Sequence, residues 1–528
     1  MKSLMKKVFA AAAAIATVFG LAATTVATAN AADNATLTVS TTDAKFAGKT
    51  VNAYKMFSAT VSGDGKAVSY TLTDEWKPFF KNSVGLTGVT DENVNDKAND
   101  YVSKLKDSTL VAFATKASNW AQTKANNITA DATATVSADA SNGKYTATFT
   151  GLGYGYYVVA VPGATLANAK SQYATLVSVH STTVDADIKG DLPTVDKKVQ
   201  VDGTGKDATD AKIGDTLTFT LTSTIPDMSA YDTYTFNFKD TLSKGLTFGQ
   251  VKSVKVENVT LTENTDYTVT TPTASNNNTL TVAMKDFKTK QQANAGKKIT
   301  VTYTATLNEN AVVGGAGNVN SAKIQYSNNP STNGTGESEP SKVRVFTYGF
   351  TVDKYTGDQY TDAATRLAGA EFTLAHKDGS AISFVQVSAG SATANAVYRV
   401  AKAGETGTTT ITTPANGKVV FEGLKNGEYT LTETKAPAGY NKLASAIGVK
   451  VNGQNNGTDT TNATVTITYN NDNGNDYNQT ASNGVIPVQN KSGAILPGTG
   501  GMGTIAFTVI GVLVIALGVA WTLKRKNA

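Results

Sequence analysis

Short segments in which apolar and polar residues alternate fill most of this 528-residue chain between its two ends. An alternation with a period of two places one set of side chains on a single face of a β-strand. Gly, Asn, Asp and Pro separate the segments, and this pattern is typical of antiparallel β-sandwiches. We therefore predict an all-β protein of tandem sandwich domains. A loosely helical pattern over residues 96–124 predicts one or two short helices inserted in the first domain.

An internal similarity indicates repeated domains. The same residue types recur with the same spacing in two sets, Phe149, Gly151, Leu152, Gly155 and Tyr157 in one and Phe421, Gly423, Leu424, Gly427 and Tyr429 in the other. Two domains of one type follow, with a region of different pattern between them. Segments near Gly190 and Phe346 look like linkers. We predict three domains, over residues 32–190, 191–345 and 346–495, each of about 150 residues, which is an ordinary domain size.

Both ends of the chain carry apolar segments. Residues 1–31 combine three lysines, a long apolar stretch and the small-x-small motif that a signal peptidase cleaves. This pattern predicts a signal peptide cleaved before Ala32, and an uncleaved membrane anchor is the alternative. The other end carries the pentapeptide Leu496-Pro497-Gly498-Thr499-Gly500. An apolar run over 505–523 and the basic residues 524–526 follow it. About twenty apolar residues cross a bilayer and a basic cluster stays cytoplasmic, so we predict a transmembrane tail.

Composition excludes several classes of function. Without the six basic residues of the two ends, 41 basic residues face 42 acidic ones, whereas a nucleic-acid-binding protein needs a clustered basic face. The chain has no cysteine, which excludes disulfides and thiol catalysis. Only His180 and His376 are available as imidazoles, so a His-based hydrolase or metal site is not expected. The Asn-rich stretch 470–476 lacks the spacing of a calcium loop and indicates a polar turn. We expect no cofactor and no metal.

Six polar residues fall on the inward faces of predicted strands. Phe350, Val352 and Lys354 show the pattern, because residues two apart share a face. The six residues form two sets, each with a lysine, a carboxylic acid and an asparagine: Lys197, Asp240 and Asn320 in the middle domain, and Lys354, Glu433 and Asn490 in the third.

Burial of these groups has a chemical consequence. An isolated buried ammonium is costly, so a desolvated lysine becomes a neutral, nucleophilic amine, while a desolvated carboxylic acid keeps its proton. The acid can donate to the Asn carbonyl oxygen and shuttle protons while the amine attacks the amide carbon and ammonia leaves. Each set thereby predicts an isopeptide cross-link between strands, in a chain without disulfides. The alternative is polar side chains that snorkel or pair at a sandwich edge.

The motifs around these residues resemble those of a known family. Phe350-Thr-Val-Asp-Lys354, Tyr429-Thr-Leu-Thr-Glu433 and Asn490 resemble a collagen-adhesin B-type Ig-like domain with its E-box, and the middle-domain set resembles the related A-type domain. The whole chain is similar to a sortase-assembled major (backbone) pilin of Gram-positive bacteria. The resemblance implies three Ig-like domains in an elongated rod, with self-catalysed Lys–Asn bonds whose catalytic acids are Asp240 and Glu433. The first domain has Val161 at the position of Glu433, so we expect no such cross-link there.

The resemblance also implies how subunits are joined. Residues 496–528, with the pentapeptide, the apolar run and the basic end, resemble an LPxTG-type cell-wall sorting signal, and a simple tail anchor after a chance pentapeptide is the alternative. A pilus-specific class C sortase would cleave Thr499-Gly500 and pass the Thr carbonyl to a lysine of the next identical subunit. Lys189, between the first two domains, is that lysine by position, although the Tyr and Pro of the family motif are missing and another residue remains an alternative.

Further partners implied by the family are a housekeeping sortase with peptidoglycan, minor pilins and a host-surface receptor. The chain would be a secreted, wall-anchored pilus subunit that supports adhesion and is not itself an enzyme acting on other molecules. A monomeric wall-anchored adhesin with isopeptide-stabilised domains is the competing hypothesis, and it does not need Lys189.

Overall fold

A computed structural model describes most of the chain between its two end segments. The described residues are 34–63, 67–126, 128–166, 169, 172–330, 333–361, 365–454, 463–471, 474, 476–493 and 502–526. The signal peptide, the pentapeptide 496–500 and part of the Asn-rich stretch lie outside them. The chain forms two compact units, which divide at Tyr348, with Gly423–Lys425 and Gly453–Val465 counted in the first. Strands dominate both units, which confirms the all-β prediction.

The N-terminal part of the first unit contains two sheets. Its strands are β1 (Ala35–Thr41), β2 (Thr50–Val61), β3 (Val68–Leu72), β4 (Ala132–Thr135), β5 (Tyr145–Leu152), β6 (Gly155–Thr165), β7 (Gln172–Val179) and β8 (Thr183–Asp187). One sheet has the order β5-β1-β8, and the other has the order β3-β2-β6-β7 with β4 also paired to β2. Strand β1 is antiparallel to β5 and parallel to β8.

Three helices are inserted between β3 and β4: α1 (Lys77–Asn82), α2 (Val94–Ser103) and α3 (Asp107–Gln122). Helices α2 and α3 confirm the prediction for residues 96–124, whereas α1 was not expected. A proline in the first turn of α1 suits its start, because that position needs no backbone donor. Trp76, Phe79 and Phe113 of this insertion are buried in one apolar cluster with Phe57 and Tyr156 of the sheet.

The rest of the first unit is a sandwich of two larger sheets. Its elements are β9 (Asp196–Val201), β10 (Thr204–Lys206), β11 (Ala208–Asp210), β12 (Thr216–Thr224), β13 (Phe236–Leu242), β14 (Leu246–Val256), β15 (Val259–Thr260), β16 (Tyr267–Thr270), β17 (Thr279–Met284), α4 (Phe287–Gln291), β18 (Lys298–Leu307), β19 (Asn318–Ser327), β20 (Thr335–Glu337) and β21 (Ser341–Phe346). The sheet orders are β10-β9-β12-β18-β14-β15 and β11-β21-β19-β13-β17-β16, with β20 on β19. Phe219 of the first sheet and Phe238 of the second are buried in one core.

The second unit also contains two sheets. Its strands are β22 (Tyr348–Thr356), β23 (Thr365–Arg366), β24 (Glu371–His376), β25 (Phe384–Ser388), β26 (Ala396–Val400), β27 (Ile411–Thr412), β28 (Lys418–Leu424), β29 (Gly427–Lys435), β30 (Ile447–Gln454), β31 (Thr464–Asn470), β32 (Gln479–Thr480) and β33 (Val485–Gln489). The orders are β23-β22-β28-β26-β25, with β33 on β22, and β27-β24-β29-β30-β31-β32. Strand β22 runs parallel to β33.

The internal similarity of the sequence corresponds to a shared topology. Strand β1 lies between β5 and β8 and is parallel to β8, and β22 likewise lies between β28 and β33 and is parallel to β33. The two similar segments occupy β5 with β6 in one case and β28 with β29 in the other. The domain boundaries near Gly190 and Phe346 remain predictions.

The last described element is helix α5 (Met502–Lys526). In the part of the chain that the structure describes, no helix meets the combined length and hydropathy required to cross a membrane. The transmembrane tail remains a prediction from the sequence.

Candidate functional site

Lys197, Asp240 and Asn320 meet in the core of the middle sandwich. Lys197 lies on β9 of the six-stranded sheet, while Asp240 on β13 and Asn320 on β19 lie on neighbouring strands of the seven-stranded sheet. All three side chains are fully buried, and the Lys197 Nζ donates a hydrogen bond to Asp240 Oδ2. A nucleophile from one sheet therefore contacts the acid on the other sheet, beside the amide.

Tyr303 completes this site, and the sequence reasoning missed it. The residue lies on β18, next to β12 in the six-stranded sheet, and is fully buried. Its Oη donates to Asp240 Oδ2 at 2.5 Å and accepts from Lys197 Nζ at 2.9 Å and from Asn320 Nδ2 at 2.6 Å. The alternation of β18 could have revealed it, because a period of two places this hydroxyl on the same inward face as Val301 and Ala305.

Lys354, Glu433 and Asn490 meet in the second unit. Lys354 on β22 and Asn490, the residue after β33, come from adjacent parallel strands, and Glu433 lies on β29 of the other sheet. The Lys354 Nζ lies 3.4 Å from Glu433 Oε1, and Asn490 Nδ2 donates to Glu433 Oε2 at 3.1 Å. None of the three is more than 2% exposed. The backbone N–H of Leu443 also donates to Glu433 Oε2, at 2.8 Å, and helps to hold the carboxylate in place.

Burial changes the protonation of both lysines. Desolvation lowers the pKa of Lys197, and the attraction of Asp240 opposes this shift without cancelling it. Desolvation likewise lowers the pKa of Lys354 to about 8, against the opposing effect of Glu433. A lower pKa increases the share of the neutral amine near neutral pH, and only the neutral amine has a lone pair available for attack.

In both sites, one oxygen of the acid and the oxygen of the asparagine amide lack a hydrogen-bond partner. Among the residues described, the buried oxygens without a hydrogen-bond partner include Asp240 Oδ1 with Asn320 Oδ1, and Glu433 Oε1 with Asn490 Oδ1. Each such orphan atom costs about 1–3 kcal/mol. A protonated carboxylic acid that donates to the Asn carbonyl oxygen would pair two of these atoms at once and would polarise the amide carbon for attack. The same two atom types are unpaired in both sites.

The first domain lacks all three reactive residues at the corresponding positions. In the repeat Phe149 corresponds to Phe421, so Thr41, which pairs with Tyr145 on β5, corresponds to Lys354, whose backbone N–H donates to Gly417. The parallel registers of β1 with β8 and of β22 with β33 then place Gly190 at the position of Asn490. Together with Val161 at the position of Glu433, the set becomes Thr41, Val161 and Gly190. The sequence comparison had recognised only the replacement of the acid.

Lys189 is exposed and directly precedes Gly190. It lies in the coil that follows β8, between buried Ile188 and Gly190. Gly190 packs closely on Tyr173, since a Cβ there would approach the Tyr173 ring to 2.6 Å. The backbone on both sides of Lys189 is thus anchored while its amine reaches solvent. Thr499, the other predicted linkage residue, lies outside the described residues together with Leu496, Pro497, Gly498 and Gly500.

Lys198 and the two histidines lie apart from the two sites. The side chain of Lys198 is 31% exposed and pairs with Asp207 at 2.6 Å. The imidazole of His180 contacts Ser178, and His376 lies against the ring of Tyr429. Within the described ranges, no group of His, Asp or Glu side chains has the arrangement of a metal site.

Two regions of the chain match known families. Residues 213–330 match the Gram-positive pilin backbone subunit 2, Cna-B-like domain, and residues 358–466 match the SpaA prealbumin-like fold domain. The A-type assignment of the middle domain remains a prediction, since the matching family is described as Cna-B-like. One curated relative is the trypsin-resistant surface T6 protein of Streptococcus pyogenes serotype M6, which is 26% identical over 279 residues. The alignment covers 48% of this chain and 44% of the relative, so the chain spans less than half of it.

Several solved structures are similar in fold. The T6 backbone pilin of serotype M6 Streptococcus pyogenes has 18% identity and a TM-score of 0.46, with coverage of 88% of this chain and 99% of that one. The C-terminal fragment of the major pilin GBS80 of Streptococcus agalactiae has 24% identity and a TM-score of 0.42, over 57% of this chain and all of that one. BcpA, the major pilin subunit of Bacillus cereus, has 18% identity and a TM-score of 0.39, over 87% and 99% of the two chains.

Because these TM-scores are low, the likeness to solved structures carries no argument about function. The family matches do carry one, and they cover parts of the middle and third predicted domains. The chain contains a Gram-positive pilin backbone domain and a SpaA-type prealbumin-like domain, and the resemblance to Gram-positive backbone pilins is confirmed.

Proposed function

We propose that this chain is the major shaft subunit of a covalent surface pilus. In this proposal a class C sortase cleaves between Thr499 and Gly500 and transfers the Thr499 carbonyl to Lys189 of the next subunit. Repetition yields a head-to-tail fibre, the open, heterologous mode of assembly. A housekeeping sortase then attaches the base of the fibre to peptidoglycan, and the fibre supports adhesion.

The observation that carries the proposal is the pair of buried Lys–acid–Asn sites. Each brings a lysine of lowered pKa and a carboxylic acid to a buried Asn amide, in a chain without cysteine. A fibre held by covalent links between subunits would still extend under load if its domains unfolded. Internal Lys197–Asn320 and Lys354–Asn490 bonds would prevent that extension, with Asp240 and Glu433 as the catalytic acids.

Lys189 suits the role of the acceptor amine for a geometric reason. A sortase acyl-enzyme must bring its thioester carbon to the attacking amine, which requires an exposed lysine. Lys189 is exposed in a coil, whereas Lys197 is fully buried and already contacts Asp240. Anchored neighbours on both sides hold Lys189 in one place, so that the same amine is presented on each subunit.

The mass of the chain tests the internal bonds. Residues 32–499 produced without any sortase should weigh about 34 Da less than their sequence, because each bond releases one ammonia. Asp240→Ala should abolish the loss in the middle domain only, and Glu433→Ala the loss in the third domain only. A mass equal to that of the sequence would exclude both cross-links.

A ladder of polymers in cell-wall extracts tests the fibre. The parent chain, expressed with its pilus sortase, should form the ladder, and Lys189→Ala should abolish it while the monomer stays folded and keeps both internal bonds. Lys491→Ala is the matched control, because Lys491 is likewise an exposed lysine in the coil that follows the last strand of its domain. Tandem mass spectra should show Thr499 joined to Lys189. A linkage to another lysine would refute the assignment, and a parent chain without a ladder would favour the monomeric adhesin.

A further inference from the structure

The hydroxyl of Tyr303 lies between the nucleophile and the leaving group of the middle-domain site. It accepts hydrogen bonds from Lys197 Nζ and Asn320 Nδ2 and donates one to Asp240 Oδ2. The ring is held in place by stacking on Phe219, with 5.3 Å between centroids, and by a tilted contact with Phe248. Tyr303 is fully buried, so water does not compete for these hydrogen bonds.

In the third-domain site, the acid contacts the asparagine amide directly and not through a tyrosine hydroxyl. There the acid is a glutamate, and its Oε2 accepts directly from Asn490 Nδ2 while its Oε1 lies 3.4 Å from Lys354 Nζ. An aspartate is shorter by one methylene, about 1.5 Å of reach. In the described structure, Asp240 bonds to Lys197 directly and is connected to the Asn320 nitrogen through Tyr303 Oη. The site with the shorter acid, Asp240, is thus the site in which the Tyr303 hydroxyl connects the acid to the asparagine.

We propose that Tyr303 is a catalytic residue of the Lys197–Asn320 cross-link, and that it relays a proton from Asp240 to the departing amide nitrogen. This inference rests on the proposed cross-link and adds the route by which ammonia leaves. It assigns the two sites different proton paths, one through a tyrosine and one through a glutamate alone.

In the proposed reaction, the Lys197 amine displaces ammonia from the side-chain amide of Asn320. The neutral Lys197 amine attacks Asn320 Cγ, and the carbonyl oxygen takes the proton of the Asp240 acid, which becomes a carboxylate. The new Nζ–Cγ bond leaves a positive Nζ, which gives a proton to Asp240 Oδ2. Asp240 passes this proton to Tyr303 Oη as Tyr303 gives its own to Asn320 Nδ2. The Cγ–Nδ2 bond then breaks and ammonia leaves, while the former carbonyl oxygen of Asn320 returns its proton to Asp240 and the C=O bond re-forms.

The relay requires a phenol that keeps its proton between steps. Burial, with a further contribution from the nearby Asp240, raises the pKa of Tyr303 well above its ordinary value. The phenol therefore stays protonated at neutral pH, and it can donate one proton only as it receives another. This behaviour suits a relay and excludes a lasting phenolate as the base.

The test compares variants of the chain from Ala32 to Thr499. Tyr303→Phe keeps the ring and removes only the hydroxyl, and it should slow Lys197–Asn320 bond formation about 100-fold or more, the range expected for a lost proton transfer. Intact mass and the linked peptide, followed over time, measure the rate. The Lys354–Asn490 bond in the same molecule is an internal control and should form at its normal rate.

A matched variant and a rescue separate the relay from a structural role. Tyr326→Phe removes a tyrosine hydroxyl from another buried residue of the same sandwich, six positions from Asn320 along β19, and should leave the cross-link intact. Adding Asp240→Glu to Tyr303→Phe supplies the missing reach and should restore the bond, as in the third domain. A role for Tyr303 in packing alone predicts no such rescue.

Each possible result of these experiments either supports the proton relay or overturns it. Bond formation at the parent rate in Tyr303→Phe would overturn the relay, and so would a folded double variant that fails to form the bond. If Tyr326→Phe also blocks the bond, loss of any buried hydroxyl is the cause and the assignment of Tyr303 fails. A parent chain that lacks the Lys197–Asn320 bond would instead refute the proposed cross-link itself.

Discussion

The Lys354–Asn490 bond should account for much of the stability of the third domain, and Asn490→Ala measures that contribution. The two residues enclose about 135 residues of chain, and a cross-link over a loop of this size removes unfolded-state entropy worth about 5 kcal/mol. Since 1 kcal/mol shifts the melting temperature of a domain this size by about 2–4 °C, we expect a decrease of about 10–20 °C.

Differential scanning calorimetry with intact-mass measurement on the same sample is the appropriate assay. Asn490→Ala should lose the ammonia deficit of the third domain and lower the transition of that domain alone. Lys491→Ala, at the exposed neighbouring position, should change neither quantity. The middle domain offers a parallel, because Lys197 and Asn320 enclose about 120 residues and predict a contribution of similar size.

Two results would refute this reasoning. If Asn490→Ala abolishes the deficit and the third domain still melts within about 3 °C of the parent, a restricted unfolded chain is not the source of stability. If the variant keeps a deficit of about 17 Da in the third domain, Lys354 has reacted with another amide, and the pairing with Asn490 is wrong.

Three further changes test the same sites. Glu433→Ala leaves the buried Lys354 without its acid, so it should destabilise the third domain by about 3–5 kcal/mol beyond the loss of the cross-link, as calorimetry would show. In the Asn490→Ala variant, Lys354 stays unlinked, and burial lowers its pKa in the folded domain to about 8, against an ordinary value of 10.5. Between these pH values the unfolded chain therefore binds more protons than the folded domain does. Urea unfolding should therefore show stability that rises by up to about 3 kcal/mol from pH 8 to pH 10.5, and a flat profile once Lys354→Met is added would identify the group. In the first domain, Val161→Glu should lower the melting temperature without any change of mass, because it buries an acid that has no lysine and no asparagine at the corresponding positions, as calorimetry and intact mass would show.

Local pattern was sufficient to identify the inward-facing residues. A strand repeats every two residues, so the alternation of Phe350, Val352 and Lys354 is enough to orient that lysine inward, and the structure buries it. The same argument covers Asp240, which alternates with Phe236 and Phe238 on β13. Helices α2 and α3 were also visible, because their spacing breaks the period of two.

Pairing between strands could not be read in the same way. The period of a strand specifies which face a side chain occupies and carries no information about which strand lies beside it. Tyr303 joins the middle-domain site only because β18 lies two strands from β9 and its inward face meets β13 and β19 across the core. Its sequence neighbourhood, Thr-Val-Thr-Tyr303-Thr, is that of an ordinary half-buried strand.

The first domain also separates what the sequence pattern identifies from what only the pairing of strands identifies. The sequence by itself identified Val161 in place of the acid, because the repeated Gly and aromatic positions align that segment with the third domain. Thr41 and Gly190 could be matched to Lys354 and Asn490 only through the pairing of β1 with β5 and with β8, which are contacts between residues about 100 to 150 positions apart. The sequence thus determined the face and chemical type of each side chain, and the tertiary structure decided which of them meet, because strand register arises from packing between distant segments.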